Sequence, residues 1–539
     1  MSVTMFSIDQ NSHSLWDCLP KLQALALKGR RVTHFVEDID VAFTTMGAGV
    51  DGDGLRLAQE RFHRSGGADW GAAMFYSNFL GRLPVEIRDW EPLTGMKTNV
   101  LAKQLSRSVD DLYNEFSPGD NWQLIGSSYV GDERHHRTIG DLTTEQTAGF
   151  LRELLDMARR NTLETFPQDD ARRRTDAWFD NERARLDAIL AANPARLCDV
   201  YSAWLGEYLG GDADIRLSSE LFALDPARTA LLELFTRDYD RLAELYNRAV
   251  EEARVGLRPL KTEIGELPFF AAFQYQGRHV RSGAFLQAGQ LRIADMTFAL
   301  DAGGSLPLEQ LRQAGITCLA GKAILLVLQA RYGQAGRALT MPYRGSMYMP
   351  ASWRFQKMLD EAGLLTSPVQ PIVRVRFHML DRMRSLKTTV ALPTHLHGCL
   401  GRSEIAADEL ADAWAAIAAA ARSRLEKFKD PAARQQWQEE AFADVVAEIA
   451  QLDHRRRTLA ETSPKSEELR QMWNDMKLRK LEMLQGLLHQ IECDWQARDL
   501  DYWDSRGALL PWCVALGGED FYNKVLTEAE IYEEQSIAD

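Results

Sequence analysis

The apolar residues of this chain change their spacing several times along its length, and neither an all-helix nor an all-strand fold accommodates that change. Short strand-like runs come first. Gly29 to Thr45, GRRVTHFVEDIDVAFTT, reads as two short strands running into glycines 47, 49, 52 and 54, and Asn121 to Val130, NWQLIGSSYV, reads as a buried strand followed by the polar run Gly131 to Asp141. From about Thr143 to Val255 the spacing becomes helical, through Leu151, Leu154, Leu155 and Met157 and later Leu231, Leu232, Leu234, Leu242 and Leu245. Residues 268 to 298 return to short aromatic and apolar runs punctuated by Gly277, Gly283 and Gly289, the pattern of a meander of about three strands.

A short helix at Leu308 to Gln313, a buried helix at Lys322 to Tyr332, the loop Met341 to Pro350, a helix at Ser352 to Ala362 and a strand at Val369 to Phe377 follow. Beyond Ile405 the pattern is almost wholly helical. Asp430-Pro431 and Ser463-Pro464 mark helix starts there, as Pro194 and Pro226 do earlier, because proline fits the first turn of a helix. Leu481, Leu484, Leu488, Ile491 and Trp495 repeat at 3-4-3-4 spacing, the seam of a coiled coil or helical hairpin. The expected architecture is an α/β core with a helical insert and a long C-terminal α-helical hairpin or coiled-coil region. Its expected parts are 1–142, an N-terminal α/β region; 143–256, the helical insert; 257–403, the second part of the core; and 404–539, the helical end. A chain of 539 residues that is 45% apolar has material for several packed regions.

Charge and cysteine usage narrow the partners. A formal charge of −14 repels polyanions, so nucleic acid is not an expected partner. The N-terminal residues carry no signal-peptide pattern, and the most apolar run, Ala320 to Ala330, is far shorter than the roughly 20 residues a bilayer demands, so no membrane association is expected. Six cysteines at 18, 198, 318, 399, 493 and 513 form no CxxC, which argues for reduced thiols and a cytoplasmic setting.

Six places could carry chemistry. The glycines at 47 to 54 invite a phosphate loop, but they match neither standard spacing and Asp51 and Asp53 repel phosphate, which favours a solvated turn. In Gly131 to His136, His135 and His136 could manage protons with Asp132 and Glu133 orienting them; a salt-bridged loop is the competing reading. MPYRGSMYMP specifies a rigid loop whose Gly345 and Ser346 amides could cap the next helix or face an anion, with Tyr343 and Tyr348 as further candidate substrate-binding residues. Lys322 needs a partner or ligand if its ammonium is buried, unless its stem merely snorkels. Arg374, Arg376, Arg382, Arg384 and Lys387 suit a phosphate or carboxylate, or equally an acidic neighbouring helix. His395 and His397, read on a strand, would share a face. A metal site needs more ligands than these two, so no metal is expected. The loops 131–136 and 343–348 are expected to converge on one pocket.

The order of elements from 268 to 381, together with Val130-Gly131-Asp132-Glu133-Arg134-His135, resembles the bacillithiol-biosynthesis cysteine-adding enzymes. In place of that family's glutamine-containing glycine segment near the N-terminus, this chain has Gly66-Gly67-Ala68-Asp69-Trp70. The resemblance implies a nucleotide-binding-type α/β core and a helical domain that can form a homodimer through the C-terminal helices. It also implies a ligase of small-molecule thiol biosynthesis, with a nucleotide as an open cofactor. In such an enzyme His135, His136, Asp132 and Glu133 would serve catalysis, and Lys322, Arg374 and Arg376 would hold anionic groups. Two other readings stand beside it: a two-lobed sugar transferase with its diphosphate against 374–387, and a non-catalytic scaffold dimerising through 465–500.

Overall fold

The computed structural model describes residues 4–8, 15–45, 79–81, 85, 87–106, 125–127, 129–255, 257–301, 303–344, 346, 348–463, 466–505 and 509–534. The glycines at 47 to 54 and Gly345 lie outside the described residues, as do the side chains of Asp132 and Glu133. The chain divides into two compact units. The first comprises Met1–Phe79, Leu124–Arg382 and Asp501–Asp539, and the second Leu80–Gln123 and Met383–Leu500.

In chain order the strands of the first unit are β1 (Met5–Ile8), β2 (Val32–Val36), β3 (Phe43–Thr45), β4 (Ile125–Ser127), β5 (Tyr129–Val130), β6 (Asp132–Arg137), β7 (Ala213–Leu217), β8 (Glu266–Tyr275), β9 (Arg278–Gln287), β10 (Gln290–Ile293), β11 (Met296–Ala299), β12 (Ile316–Gly321), β13 (Leu339–Pro342) and β14 (Ile372–Arg376). The second unit holds the hairpin β15 (Thr389–Ala391) and β16 (Glu404–Ala406), and β17 (Glu530–Glu534) returns to the first.

One sheet runs β17-β14-β13-β1-β2-β7, parallel throughout except for β17. From β1 the chain builds outward to β2 and β7, then crosses back to lay β13 and β14 on the other side of β1. Open α/β sheets bind ligands at such a reversal, outside the carboxyl ends of the strands, here β1 and β13. The strands are buried on both faces, as parallel strands usually are: all five residues of β2, VTHFV, are buried. Phe6, Phe35, Leu339, Met341 and Ile372 pack on one side with Trp353, Val327 and Ala330. Ser7 and His34 alternate with Phe6 and Phe35 along their strands and meet each other at 2.9 Å.

The second sheet of this unit is antiparallel. β8 and β9 form a ten-residue hairpin, β12 pairs with β8, and the free edge of β9 pairs with β6 near Val280 and with β10 toward its end. The meander of 268 to 298 is present with four strands rather than three, and Gly277 and Gly289, both at positive φ, supply its turns. Gly283 lies inside β9, not at a turn.

Three segments depart from the sequence reading. β7, in the stretch 143–256, has the alternating exposure of an edge strand and gains its conformation by pairing with β2, so this stretch is not helix alone. β17, EIYEE, is a charged edge strand in the otherwise helical end. The apolar run ITCLAG is β12, and the helix after it spans Ile324–Arg331. Pro194 precedes a helix that starts only at Leu197, whereas Pro226 and Pro431 sit at helix starts capped by Asp225 and Asp430.

The second unit is mainly helical. Trp90, Leu93, Leu101, Leu425, Phe428, Leu484, Leu487, Ile491 and Trp495 form its core. The long helix Glu467–Ala497 presents Leu484, Leu487 and Ile491 to that core with Leu488 at its margin, so the inward stripe centres one position away from Leu488. The helix Ala443–Thr462, which packs beside it, buries no residue. Among the described residues no helix is long and apolar enough to cross a membrane.

Candidate functional site at the carboxyl edge

β13 and β14 end side by side, and their ends carry the most distinctive side chains of the edge. Tyr343 follows β13; the Arg376 guanidinium lies 4.1 Å and that of Arg344 5.6 Å from its ring centre, within cation–π range. Both guanidiniums reach one carboxylate, Asp501, at 2.9 Å from Arg344 and 3.4 Å from Arg376. Two cations thus share this one buried carboxylate. Arg374, two residues earlier, is buried and spent otherwise: it pairs with Glu534 of β17 at 2.6 Å and donates to the Pro342 carbonyl. The remaining cations of the basic segment also meet carboxylates, Arg382 with Glu528, Arg384 with Asp412 and Lys387 with Asp408. The acidic-neighbour reading of that segment is the one its geometry favours, and Arg374 is a structural cation rather than an anion holder.

The polar run at 131–136 is not a loop. Gly131, at φ +79°, turns β5 into β6, and Asp132 to Arg137 are strand. Consecutive strand residues point to opposite faces, so His135 and His136 separate. His135 is buried, stacks on Tyr275 at 4.0 Å and bonds Ser282 at 3.2 Å. It is a packed core histidine. His136 stands opposite Arg281 in register, on the face that also carries Gly283 and Phe270. Arg281 pairs with Asp40 at 2.5 Å and lies over the Phe270 ring at 4.3 Å, and a Cβ at Gly283 would lie 3.6 Å from Lys322 Nζ. Burial, then the charges of Arg281 and Lys322, hold His136 down to about 4, against the pull of Asp40. It is therefore neutral at pH 7, and its Nδ1 is buried with no hydrogen-bond partner among the described residues.

Lys322 lies between β12 and the helix Ile324–Arg331 rather than within the helix, and approaches Glu266 at 3.5 Å. Burial lowers its ammonium, opposed by Glu266. Burial would raise Glu266 in turn, but hydrogen bonds from Arg258 at 2.7 Å and the Lys261 amide outweigh it and hold that carboxyl at about 2. On this face Arg281, Lys322 and Arg258 outnumber Asp40 and Glu266 by one charge.

The ends of β2 and β7 supply an acidic corner. Glu37 accepts from the amides of Ile39 and Asp40, both at 2.8 Å, and from the Ser218 hydroxyl, while Asp38 accepts from Ser219 through its amide and hydroxyl. Burial and the nearby Asp40 and Asp38 push Glu37 up to about 8, so it carries a proton at neutral pH. The segment after β2 then docks on the one after β6. The Gly140 amide donates to the Asp38 carbonyl at 2.8 Å, and a Cβ there would come within 2.6 Å of that oxygen, so this contact requires glycine.

Three of these strands are followed closely by a non-glycine residue at positive φ: Ala323 (+46°) after β12, Ser346 (+62°) after β13 and His378 (+55°) after β14. Such backbone costs on the order of 1–3 kcal/mol and persists only where surrounding contacts impose it. Met341 and Met349, which bracket the 343–348 loop, share a hydrophobic cluster with Phe270, beside which Arg281 lies. Tyr348 packs against the neighbouring cluster that contains Phe273 and Val280.

Of the residues singled out in the sequence, Tyr343 and Arg376 lie at these strand ends and His136 and Lys322 on this sheet face; Arg281, Arg344, Asp40 and Asp501, beside them, were not singled out. Asp501 is about 125 positions from Arg376, and Arg281 is a single charge in a mixed strand. His395 and His397 lie on the helix Thr394–Leu400, not a strand, and bond the carbonyls of Leu80 and Leu392. Two positions apart on a helix, they cannot share a face. Among the described residues no group of three or more His, Cys, Asp or Glu is placed to hold a metal.

The chain matches no protein-family model and no curated protein.

Proposed function

We propose that the protein is an enzyme of small-molecule metabolism that binds an anionic substrate or nucleotide at the carboxyl edge of its parallel sheet, of the ligase type suggested by the cysteine-adding enzymes. The observation that carries this reading is the reversal of strand order at β1 and β13, with Tyr343, Arg344 and Arg376 at the adjoining strand ends. The two guanidiniums there suit a phosphate or carboxylate, because Arg presents a planar donor fork to either. In this reading His136, Arg281 and Lys322 form the far wall of the same site. An anion seated beside His136 would favour its charged form, so binding would draw a proton onto the imidazole and ready it as a general acid.

The test is a thermal-shift panel of ADP, ATP, a nucleotide sugar, cysteine and inorganic pyrophosphate, because a ligand selective for the folded state raises its melting temperature. A phosphate-bearing ligand is expected to raise it in the parent and not in Arg376→Ala. A flat response to every compound would sink the proposal. A nucleotide sugar alone would favour the sugar transferase. The scaffold reading has its own support in the exposed Trp473 (49%) and Leu478 (63%) on the helix Glu467–Ala497, apolar side chains that a partner could cover.

A further inference from the structure

The second unit brings together two cysteines that stand 94 positions apart in the chain. Cys399 lies on the helix Thr394–Leu400 and Cys493 on Glu467–Ala497. The Cys399 thiol donates to the Cys493 carbonyl oxygen at 2.9 Å, and the two thiols are themselves within hydrogen-bonding reach. One helical turn before Cys493, His489 places its Nε2 3.6 Å from Cys493 Sγ. Gly398 makes the approach possible, since a Cβ there would lie 2.9 Å from both Cys493 Sγ and His489 Nε2.

We propose that Cys399 and Cys493 form a redox site that closes into a disulfide on exposure to a peroxide, with His489 accepting the Cys493 proton. The Cys493 thiolate attacks one peroxide oxygen and the O–O bond breaks. The departing hydroxide takes the proton from His489 and leaves as water, so Cys493 becomes a sulfenic acid. The Cys399 sulfur then attacks the Cys493 sulfur, the S–O bond breaks, and a second water leaves with the Cys399 proton. Two thiols lose two electrons, and the peroxide is reduced to two waters.

The division of roles follows from the surroundings. The hydrogen bond from Cys399 holds the Cys493 thiol below its usual range although burial, Asp494 and Glu492 oppose it, and Arg424 assists. That same bond, then burial, pushes the Cys399 thiol up, which suits the resolving partner. Arg424 also grips Asp494 at 2.8 and 2.9 Å, which offsets the nearest carboxylate. Cys493 is buried, but His489 beside it is exposed and Cys399 half-buried, so a small oxidant approaches from that side. Burial pushes the Cys198 thiol up to about 12 and Cys318 higher still, so these two are poor competitors.

The experiment treats the full-length reduced protein with hydrogen peroxide, blocks the remaining thiols and maps peptides by mass spectrometry without reduction. The expected result is one cross-linked pair containing Cys399 and Cys493, lost in Cys399→Ser and in Cys493→Ser. His489→Gln should slow cross-linking by about tenfold at pH 7 and approach the parent rate at high pH, where the thiolate forms unaided. Oxidation of both cysteines without a cross-link, or blocking of all six thiols at one rate, would overturn the proposal. Because the parent protein alone gives the map, a variant that failed to fold would not obscure the outcome.

Discussion

The two faces of the antiparallel sheet differ in what they do with neighbouring residues of the same strand. On one face His135 joins Tyr275, Phe273 and Ser282 in a packed interior. On the other, one residue on, His136 meets Arg281 and the ammonium of Lys322. The first histidine is held by shape and the second by charge. A side chain packed among rings stabilises a fold by its contacts, whereas a buried one beside cations is where an anionic ligand gains most.

The sharpest way to break this comparison is to cut away both faces. Phe273→Ala, on the packed face, should cost about 3–5 kcal/mol of stability, because it removes a ring and leaves a cavity. His136→Ala should cost below about 1 kcal/mol while weakening ligand binding. Equal losses in urea denaturation would mean that the two faces are alike. The helical unit offers a parallel contrast: Leu487→Ala should cost about 2–5 kcal/mol, and Leu488→Ala, at the margin of the same core, clearly less.

Acid and base should act on the two faces unequally. His136 is held at about 4 and His34 at about 3, so both stay neutral when folded and protonate when unfolded. Their contribution is present above about pH 6.5 and is lost as pH falls toward 4 and below. His136→Gln should flatten part of that acid limb. Glu37 has the opposite sign. Raised to about 8, it stabilises fully below pH 4.5 and loses that contribution as pH rises through 8, so Glu37→Gln should flatten the melting temperature between those limits. An unchanged profile would count against the buried, protonated carboxyl. The smallest effect expected is from Ala323→Gly, which should stabilise by up to about 1 kcal/mol by relieving a positive φ next to Lys322.

Much of the fold was legible because its elements follow periodicity: the β8–β11 meander, the long helices and the Asp-Pro helix starts all appear where apolar spacing and capping residues place them. β7 and β17 were not, since ADIRL and EIYEE have little apolar character and become strands only by pairing with β2 and β14. The 343–348 loop stood out through its prolines and tyrosines. The split of His135 from His136 was hidden because six consecutive polar residues, DERHHR, read as loop, while the hydrogen bonds that make them strand come from β9 and β5. Asp501 and the Cys399–Cys493 pair were invisible for a related reason: nothing local marks residues that meet only when distant segments fold together.

The central claim is that Arg376 on one side and His136 on the other line a single anion site. A double-mutant cycle tests it most directly, with ADP affinity measured by calorimetry for the parent, Arg376→Ala, His136→Gln and the double variant. A shared site predicts that each single change weakens ADP and that the two losses are not additive, with a coupling of about 0.5 kcal/mol or more. Binding that is absent from the parent, or indifferent to either change, would contradict it.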